Sequence, residues 1–193
     1  MCLRETILNI PNCLTLFRVL SIPIFLMLWL FDFKDHSMIL MILGFLSDFF
    51  DGRVARALSQ ETRFGAIFDP IADKISTLFY IPFFAWLGDL PEWYMVIVVV
   101  RNFAQLLSIP ILVWWLKRPF YVKPKLFAKW GSALPEVLLV SFVVLRFFPT
   151  LDFFPSFVLL AVILISSIFE IIILVTYVPR LIQIALGSHD TFE

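Results

Sequence analysis

The sequence predicts an all-α integral membrane protein, a bundle of six transmembrane helices preceded by a short N-terminal juxtamembrane segment. Hydrophobic residues make up 61% of the 193 residues and charged residues only 16%, whereas soluble domains are about 45–50% apolar. Apolar runs of roughly 20 residues, enough for a helix to cross about 30 Å of hydrocarbon, recur along the whole chain. No linker or low-complexity segment divides them, so residues 1–193 are expected to form a single domain.

Polar and proline-containing stretches separate the apolar runs. Pro11 precedes the first run, and the charged segment 32–36 follows it. A polar connection at 59–63 ends the second run. The turn at 88–92 ends the third apolar run and contains a proline placed to open the next helix. The basic segment 117–129 follows the fourth apolar run. The predicted spans are Leu14–Phe31, Met38–Leu58, Phe64–Leu87, Trp93–Leu116, Ala128–Phe148 and Phe153–Val178.

The distribution of basic residues predicts the orientation. Six spans place both termini on one side of the membrane, and most lysines and arginines fall on that side, against Lys34 and Arg146 on the other. Since cytoplasmic loops carry the excess of basic residues, the termini are expected to face the cytoplasm. The net charge is zero, so composition gives no indication of a nucleic-acid partner.

Charged residues are concentrated between Ser47 and Lys74, at the end of the second span and the start of the third. Four carboxylates belong to this acidic stretch: Asp48, Asp51, Asp69 and Asp73. Ionisable groups at membrane depth are costly and are therefore functional by default. On a helical projection each pair of carboxylates shares a face with small residues, which let two helices approach closely. We therefore expect the two faces to meet and the carboxylates to converge.

Converging carboxylates predict a metal site. Like charges at one site drive protonation unless cations compensate them, and two divalent ions would balance four carboxylates. Ligation by oxygen alone favours Mg²⁺, Mn²⁺ or Ca²⁺ over zinc or copper. A pair of such ions clamps phosphoryl groups in many enzymes. Arg56 suits a phosphate oxygen, and Gly52 and Gly65 leave room for a ligand near the backbone, so a diphosphate-containing ligand is expected at the cytoplasmic end.

The spacing of these residues resembles the signature of the CDP-alcohol phosphatidyltransferase family. The matching positions are Asp48-x2-Asp51-Gly52-x2-Ala55-Arg56-x8-Gly65-x3-Asp69-x3-Asp73. The resemblance implies that the donor is CDP-diacylglycerol, attacked by a small polar alcohol with release of CMP. It also implies a multi-pass enzyme of a bacterial inner or cell membrane, surrounded by membrane lipid and often homodimeric, with its active site facing the cytoplasm.

Carried over to this chain, the resemblance implies a role for each residue of the signature. All four carboxylates become ligands of two ions, Mg²⁺ or Mn²⁺, and Asp73 is also the general base for the acceptor hydroxyl. Gly52 and Arg56 become contacts to the CDP moiety, and Gly65 gives the nucleotide room.

The flanking sequence is similar to the phosphatidylglycerophosphate synthase branch, whose acceptor is glycerol 3-phosphate. The similarity lies in Asn9-Ile10-Pro11-Asn12-x2-Thr15-x2-Arg18 and in the stretch from Thr62 to Lys74. It implies that Asn12, Thr15 and Arg18 contact the donor phosphates.

Two features leave other acceptors open. Residues 51–56 are also similar to phosphatidylserine synthases, and Asn102 follows Arg101 where the glycerophosphate branch is expected to have Glu. Serine, inositol phosphate and phosphatidylglycerol are the alternative acceptors.

A phosphorylated acceptor needs cations beside the metal site. The candidates at the cytoplasmic end are Arg101, Lys123, Lys125 and Lys129. The three lysines could equally bind anionic lipid. Glu136 and Glu170, the other intramembrane carboxylates, are expected to pair with a neighbouring helix or to line a cavity.

Two other functions use carboxylates in a membrane. Intramembrane prenyltransferases bind a diphosphate with paired Asp clusters and Mg²⁺, but their usual spacing lacks the element formed by Ala55 and Arg56. A cation transporter could use the carboxylates as an ion path, but it would leave Gly52 and Arg56 without a role.

Overall fold

The computed structural model describes residues 9–57, 62–110, 126–147 and 156–185. Within these ranges the chain forms six α-helices and no β-strand. The helices are α1 (Ile10–Leu30), α2 (Lys34–Ala57), α3 (Arg63–Trp86), α4 (Glu92–Pro110), α5 (Leu126–Phe147) and α6 (Ser156–Ala185). Each helix overlaps one predicted span in the predicted order, so the all-helical class is confirmed.

Two of the described helices are long and apolar enough to cross a membrane. They are α1 and the segment Phe157–Pro179 of α6, and a shorter apolar helical segment lies at Leu134–Leu145. At 1.5 Å per residue, the 21 residues of α1 extend for about 30 Å. Helices α2 and α3 instead contain the charges of the acidic stretch.

Helix α1 begins at Ile10 rather than at Leu14 because its N-terminus is capped. The side chain of Asn9 accepts a hydrogen bond from the backbone N–H of Asn12 at 2.9 Å. Pro11 lies in the first turn, where the missing N–H costs no intrahelical bond. The polar residues before the first apolar run therefore belong to α1 itself.

The chain divides into two compact units, Met1–Phe79 and Tyr80–Glu193, with the boundary inside α3. In the first unit α1 packs against α2. A Cβ added at Gly44 of α2 would lie 3.1 Å from the Ser21 hydroxyl oxygen, so the glycine permits this close approach. Phe25 of α1 is fully buried and makes an edge-to-face contact with Phe79 of α3, with centroids 6.0 Å apart.

In the second unit α4 and α5 each pack against α6. The turn that leads into α4 contains Gly88 at φ +84°, a left-handed conformation that favours glycine. Polar side chains lie between α4 and α6, where the Tyr94 hydroxyl and the Ser166 hydroxyl are hydrogen bonded at 2.9 Å.

Candidate active site

Helix α3, which carries two of the four carboxylates, begins with a side-chain cap. The hydroxyl oxygen of Thr62 accepts a hydrogen bond from the Gly65 N–H at 2.9 Å. The Asn12 side chain of α1 donates to the same oxygen, with 3.4 Å between Nδ2 and Oγ1. Asn12 and Thr62 are 6% and 5% exposed. The first turn of α1 is therefore tied to the first turn of α3.

Gly65 is required where these two turns meet. A Cβ at this position would lie 2.6 Å from Oδ1 of Asn12 and 3.1 Å from Oγ1 of Thr62. The first distance is well below any normal contact, so a side chain at position 65 would displace Asn12 or separate the helices. The described structure thus gives Gly65 a packing role. Its predicted role beside a nucleotide stays a prediction.

Asp69, about two turns beyond Thr62 along α3, is also held by α1. The Thr15 hydroxyl donates to Oδ1 of Asp69 at 2.8 Å. Thr15 is 0% exposed and Arg18, one turn beyond it, is also buried. The positive charge of Arg18 acts on the Asp69 carboxylate. Three residues predicted to contact the donor, Asn12, Thr15 and Arg18, therefore lie on the side of α1 that meets α3 and its carboxylate.

Asp73 follows Asp69 by four residues, so the two carboxylates lie on one face of α3. Lys74 places its ammonium nitrogen 2.7 Å from Oδ2 of Asp73. Both side chains are mostly shielded, with 12% and 19% of the Lys74 and Asp73 side chains exposed. Asp73 is thus a partly buried carboxylate beside a cation.

The other residues of the signature belong to α2. Its backbone is helical through Ala57, so Asp48 and Asp51, three residues apart, lie on one face. The side chains of Asp48, Asp51, Gly52 and Arg56 lie outside the described part of the structure. Convergence of the α2 and α3 carboxylates therefore stays a prediction.

The carboxylates that the structure describes on α3 fit a hard metal cation. Asp69 and Asp73 offer oxygen, and a carboxylate fixed by a hydroxyl donor is a usual form of metal ligand. Among the side chains that the structure describes, no group of three or more histidine, cysteine, aspartate or glutamate residues forms a complete cation site. The α2 carboxylates would have to complete it.

Arg101, predicted to bind the acceptor, lies between α4 and α6 in the second unit and is 2% exposed. Its Nε and Nη2 donate to the two carboxylate oxygens of Glu170, which is 0% exposed; the Nη2 bond measures 2.6 Å. Its Nη1 donates to Gln105 at 2.9 Å and to Asn102 at 3.3 Å. The prediction that Glu170 pairs with a neighbouring helix is confirmed.

The remaining acceptor candidates are not described in side-chain detail. Lys123 and Lys125 lie outside the described residues, and Lys129 lies in α5 with its side chain outside them.

Sequence reasoning gave no role to Thr62, although a threonine immediately before the start of a helix is a capping signal. It also did not identify the pairing of Tyr94 with Ser166, which joins positions 72 residues apart.

The comparisons with known proteins place the chain in a family. The sequence profile of the CDP-alcohol phosphatidyltransferase family matches residues 8–179, through both units. The chain belongs to this family, as the acidic signature predicted.

Bacterial relatives carry the name CDP-diacylglycerol–glycerol-3-phosphate 3-phosphatidyltransferase. The relative from Wigglesworthia glossinidia brevipalpis is 51% identical over 71 residues, 35% of this chain and 39% of the relative. That from Sodalis glossinidius is 35% identical over 112 residues, 56% and 60% of the two chains. That from Aquifex aeolicus is 30% identical over 136 residues, 69% and 75% of the two chains. The chain thus spans less than two thirds of the length of the first two relatives.

Proposed function

We propose that the chain transfers the phosphatidyl group of CDP-diacylglycerol to glycerol 3-phosphate and releases CMP. The observation that carries the proposal is the α1–α3 contact, where Thr15 and Arg18 act on Asp69 within the family signature. The match to the family at residues 8–179 and the names of the relatives support the same reaction.

In the proposed reaction the acceptor hydroxyl oxygen attacks the phosphorus that bears the diacylglycerol. The bond from that phosphorus to the oxygen of CMP breaks, and CMP leaves with the electron pair. Asp73 accepts the proton of the attacking hydroxyl, because an alcohol must lose its proton as it bonds to phosphorus. Lys74, 2.7 Å from Oδ2 of Asp73, supplies positive charge beside the base.

The four carboxylates Asp48, Asp51, Asp69 and Asp73 would hold two ions, Mg²⁺ or Mn²⁺. Such ions neutralise diphosphate charge and polarise the reacting phosphorus–oxygen bonds when bound. Gly52 and Arg56 bind the CDP moiety, and Arg18 adds charge for the donor phosphates. Arg101 and the lysines of segment 117–129 are the proposed cations for the acceptor phosphate.

The proposed setting is a multi-pass membrane protein with six spans, both termini and the active site facing the cytoplasm. The apolar α1 and α6 support membrane insertion. The distribution of lysines and arginines supports the orientation. The continuous family match supports one functional domain over residues 1–193, and a homodimer is proposed by analogy with the family.

The test is CMP release by the purified protein in detergent with CDP-diacylglycerol, Mg²⁺ or Mn²⁺, and a panel of acceptors. Glycerol 3-phosphate should support release, whereas serine, inositol phosphate and phosphatidylglycerol should not. Release with serine or inositol phosphate alone would keep the family reaction and change the acceptor. Absence of CMP with every acceptor would contradict the proposed function.

A further inference from the structure

The contact between Thr15 and Asp69 limits what the Thr15 hydroxyl can do. A hydroxyl has a single hydrogen to donate. Oγ1 of Thr15 lies 2.8 Å from Oδ1 of Asp69 and 3.2 Å from the Pro11 carbonyl oxygen. The shorter distance favours the carboxylate as the acceptor of that hydrogen.

A donor phosphate cannot receive that same hydrogen. Phosphate oxygens in a diphosphate are acceptors, and the Thr15 oxygen has only acceptor capacity left once its hydrogen is given to Asp69. Thr15 is also 0% exposed, so a ligand has no open route to its side chain. Contact with the donor phosphates, which the sequence implied for Thr15, would require this hydrogen bond to break.

We propose that Thr15 is a positioning residue, whose hydroxyl fixes the Asp69 carboxylate in the orientation in which it binds a divalent cation. Groups that hydrogen bond to metal ligands orient them, and losing one typically costs about 10- to 100-fold in metal affinity or activity. The inference rests on the proposed function, because it takes Asp69 to be a metal ligand.

The α1–α3 contact sets the register of the two helices and so determines that Thr15 lies opposite Asp69. Asn12 and Thr15 are three residues apart on α1. Their partners are Thr62, which caps the start of α3, and Asp69, which lies seven residues further along. Gly65 lies between those partners and allows the close approach. Two side-chain contacts and one close backbone approach therefore set the register of the helices. A change of register of α1 by one residue would rotate its contacting face by about 100° and turn Thr15 away from the carboxylate.

The experiment measures Mn²⁺ binding to the purified protein in detergent, without nucleotide or acceptor, by the loss of the free-ion EPR signal. Thr15→Val removes the hydroxyl and keeps the shape of the side chain. Thr15→Ala also removes the hydroxyl but leaves a smaller side chain, in case the valine disturbs packing. Thr15→Ser keeps the hydroxyl. Thermal unfolding and elution as a single species verify the fold of each variant.

A matched control is Thr176→Val on α6. The Thr176 hydroxyl donates to a carbonyl one turn back, at 2.8 Å, as Thr15 can, but it is exposed and, within the described part of the chain, its acceptors are main-chain carbonyls. Its replacement should leave Mn²⁺ affinity unchanged.

The expected result is a loss of Mn²⁺ affinity of about 10- to 100-fold in Thr15→Val and Thr15→Ala, with recovery in Thr15→Ser. In an Asp69→Ala background, Thr15→Val should cause no further loss, because the effect passes through Asp69. Wild-type Mn²⁺ affinity in the two hydroxyl-free variants would overturn the inference, as would an equal loss in the presence and absence of Asp69.

The outcome is separate from that of the proposed function. If wild-type protein binds Mn²⁺ through Asp69 and Thr15 but releases no CMP with any acceptor, the proposed function fails and the positioning role stands. If CMP is released and the Thr15 variants bind Mn²⁺ normally, the reverse holds.

Discussion

At the scale of single residues, the candidate site depends on side chains that approach α3 from α1. Asp69 accepts a hydrogen bond from Thr15, and Gly65 leaves space for Asn12. Asp73, one turn beyond Asp69, is instead paired with the neighbouring Lys74. The two carboxylates of α3 thus differ in their surroundings, which suits the proposal that both bind metal and that Asp73 alone also acts as the base.

Asp73→Asn should abolish turnover and leave donor binding largely intact. The amide keeps the shape of the side chain but cannot accept the proton of the acceptor hydroxyl. The measurement pairs CMP release with direct binding of CDP-diacylglycerol. Retained turnover in this variant would remove Asp73 from the role of base.

Gly65→Ala should destabilise the protein by about 1–3 kcal/mol, as overpacking of a close contact does, and should also reduce CMP release. The added Cβ would lie 2.6 Å from Oδ1 of Asn12, so the Asn12 side chain would have to leave Thr62. Thermal unfolding and CMP release are measured on the same preparations.

The control for this variant is Gly88→Ala. Gly88 is at φ +84° and an added Cβ meets nothing within 4 Å, so the substitution strains the backbone by about 1–2 kcal/mol without moving the α1–α3 contact. Its CMP release should stay at the wild-type rate. Equal loss of activity in both variants would show that activity follows stability alone.

At the scale of elements, the polar contact between α4 and α6 raises a question about Arg101. Most of its N–H groups are engaged by Glu170, Gln105 and Asn102. Breaking a buried ion pair by removing one partner typically costs about 3–5 kcal/mol, whereas replacing both partners with apolar groups is often neutral. The pair can therefore hold α4 against α6 whether or not Arg101 also binds the acceptor.

Arg101→Met and Glu170→Met should each lower stability by about 3–5 kcal/mol, and the double variant should recover most of that loss. Chemical unfolding in detergent measures the stability, with Tyr94→Phe as a control that removes a neutral hydrogen bond between the same helices, at a cost of about 0.5–1.5 kcal/mol. A double variant no more stable than the single variants would contradict this role of the ion pair.

The KM for glycerol 3-phosphate in the double variant then separates two roles of Arg101. A raised KM in a stable double variant supports the predicted contact with the acceptor. An unchanged KM would assign Arg101 to helix packing.

The elements themselves were largely predictable. Apolar runs and the polar breaks between them placed all six described helices, and the spacing of the acidic signature identified the family. The start of α1 was misplaced because capping by Asn9 extends the helix into polar sequence. The partner of Thr15 was not predictable, because the contact joins positions 54 residues apart and depends on how two helices pack.

At the scale of the whole molecule, the features fit the proposed membrane-embedded transferase. The proposed lipid donor would carry its acyl chains in the bilayer, while its diphosphate and the acceptor are polar, so the reacting groups would have to meet where charged side chains and apolar helices lie together. Helix α1 has both an apolar surface and buried polar side chains. Its outward residues, such as Leu20 and Met27, are exposed and apolar, whereas Thr15 and Arg18 are buried toward the acidic stretch.

The most direct test of the central claim is transfer of label from radioactive glycerol 3-phosphate into lipid by purified protein supplied with CDP-diacylglycerol and Mg²⁺ or Mn²⁺. Wild-type protein should form labelled lipid in amounts equal to the CMP released, and Asp69→Asn, purified to the same amount, should form essentially none. Labelled lipid at the wild-type rate from Asp69→Asn, or none from the wild-type protein, would contradict the claim that the acidic stretch is the site of phosphatidyl transfer.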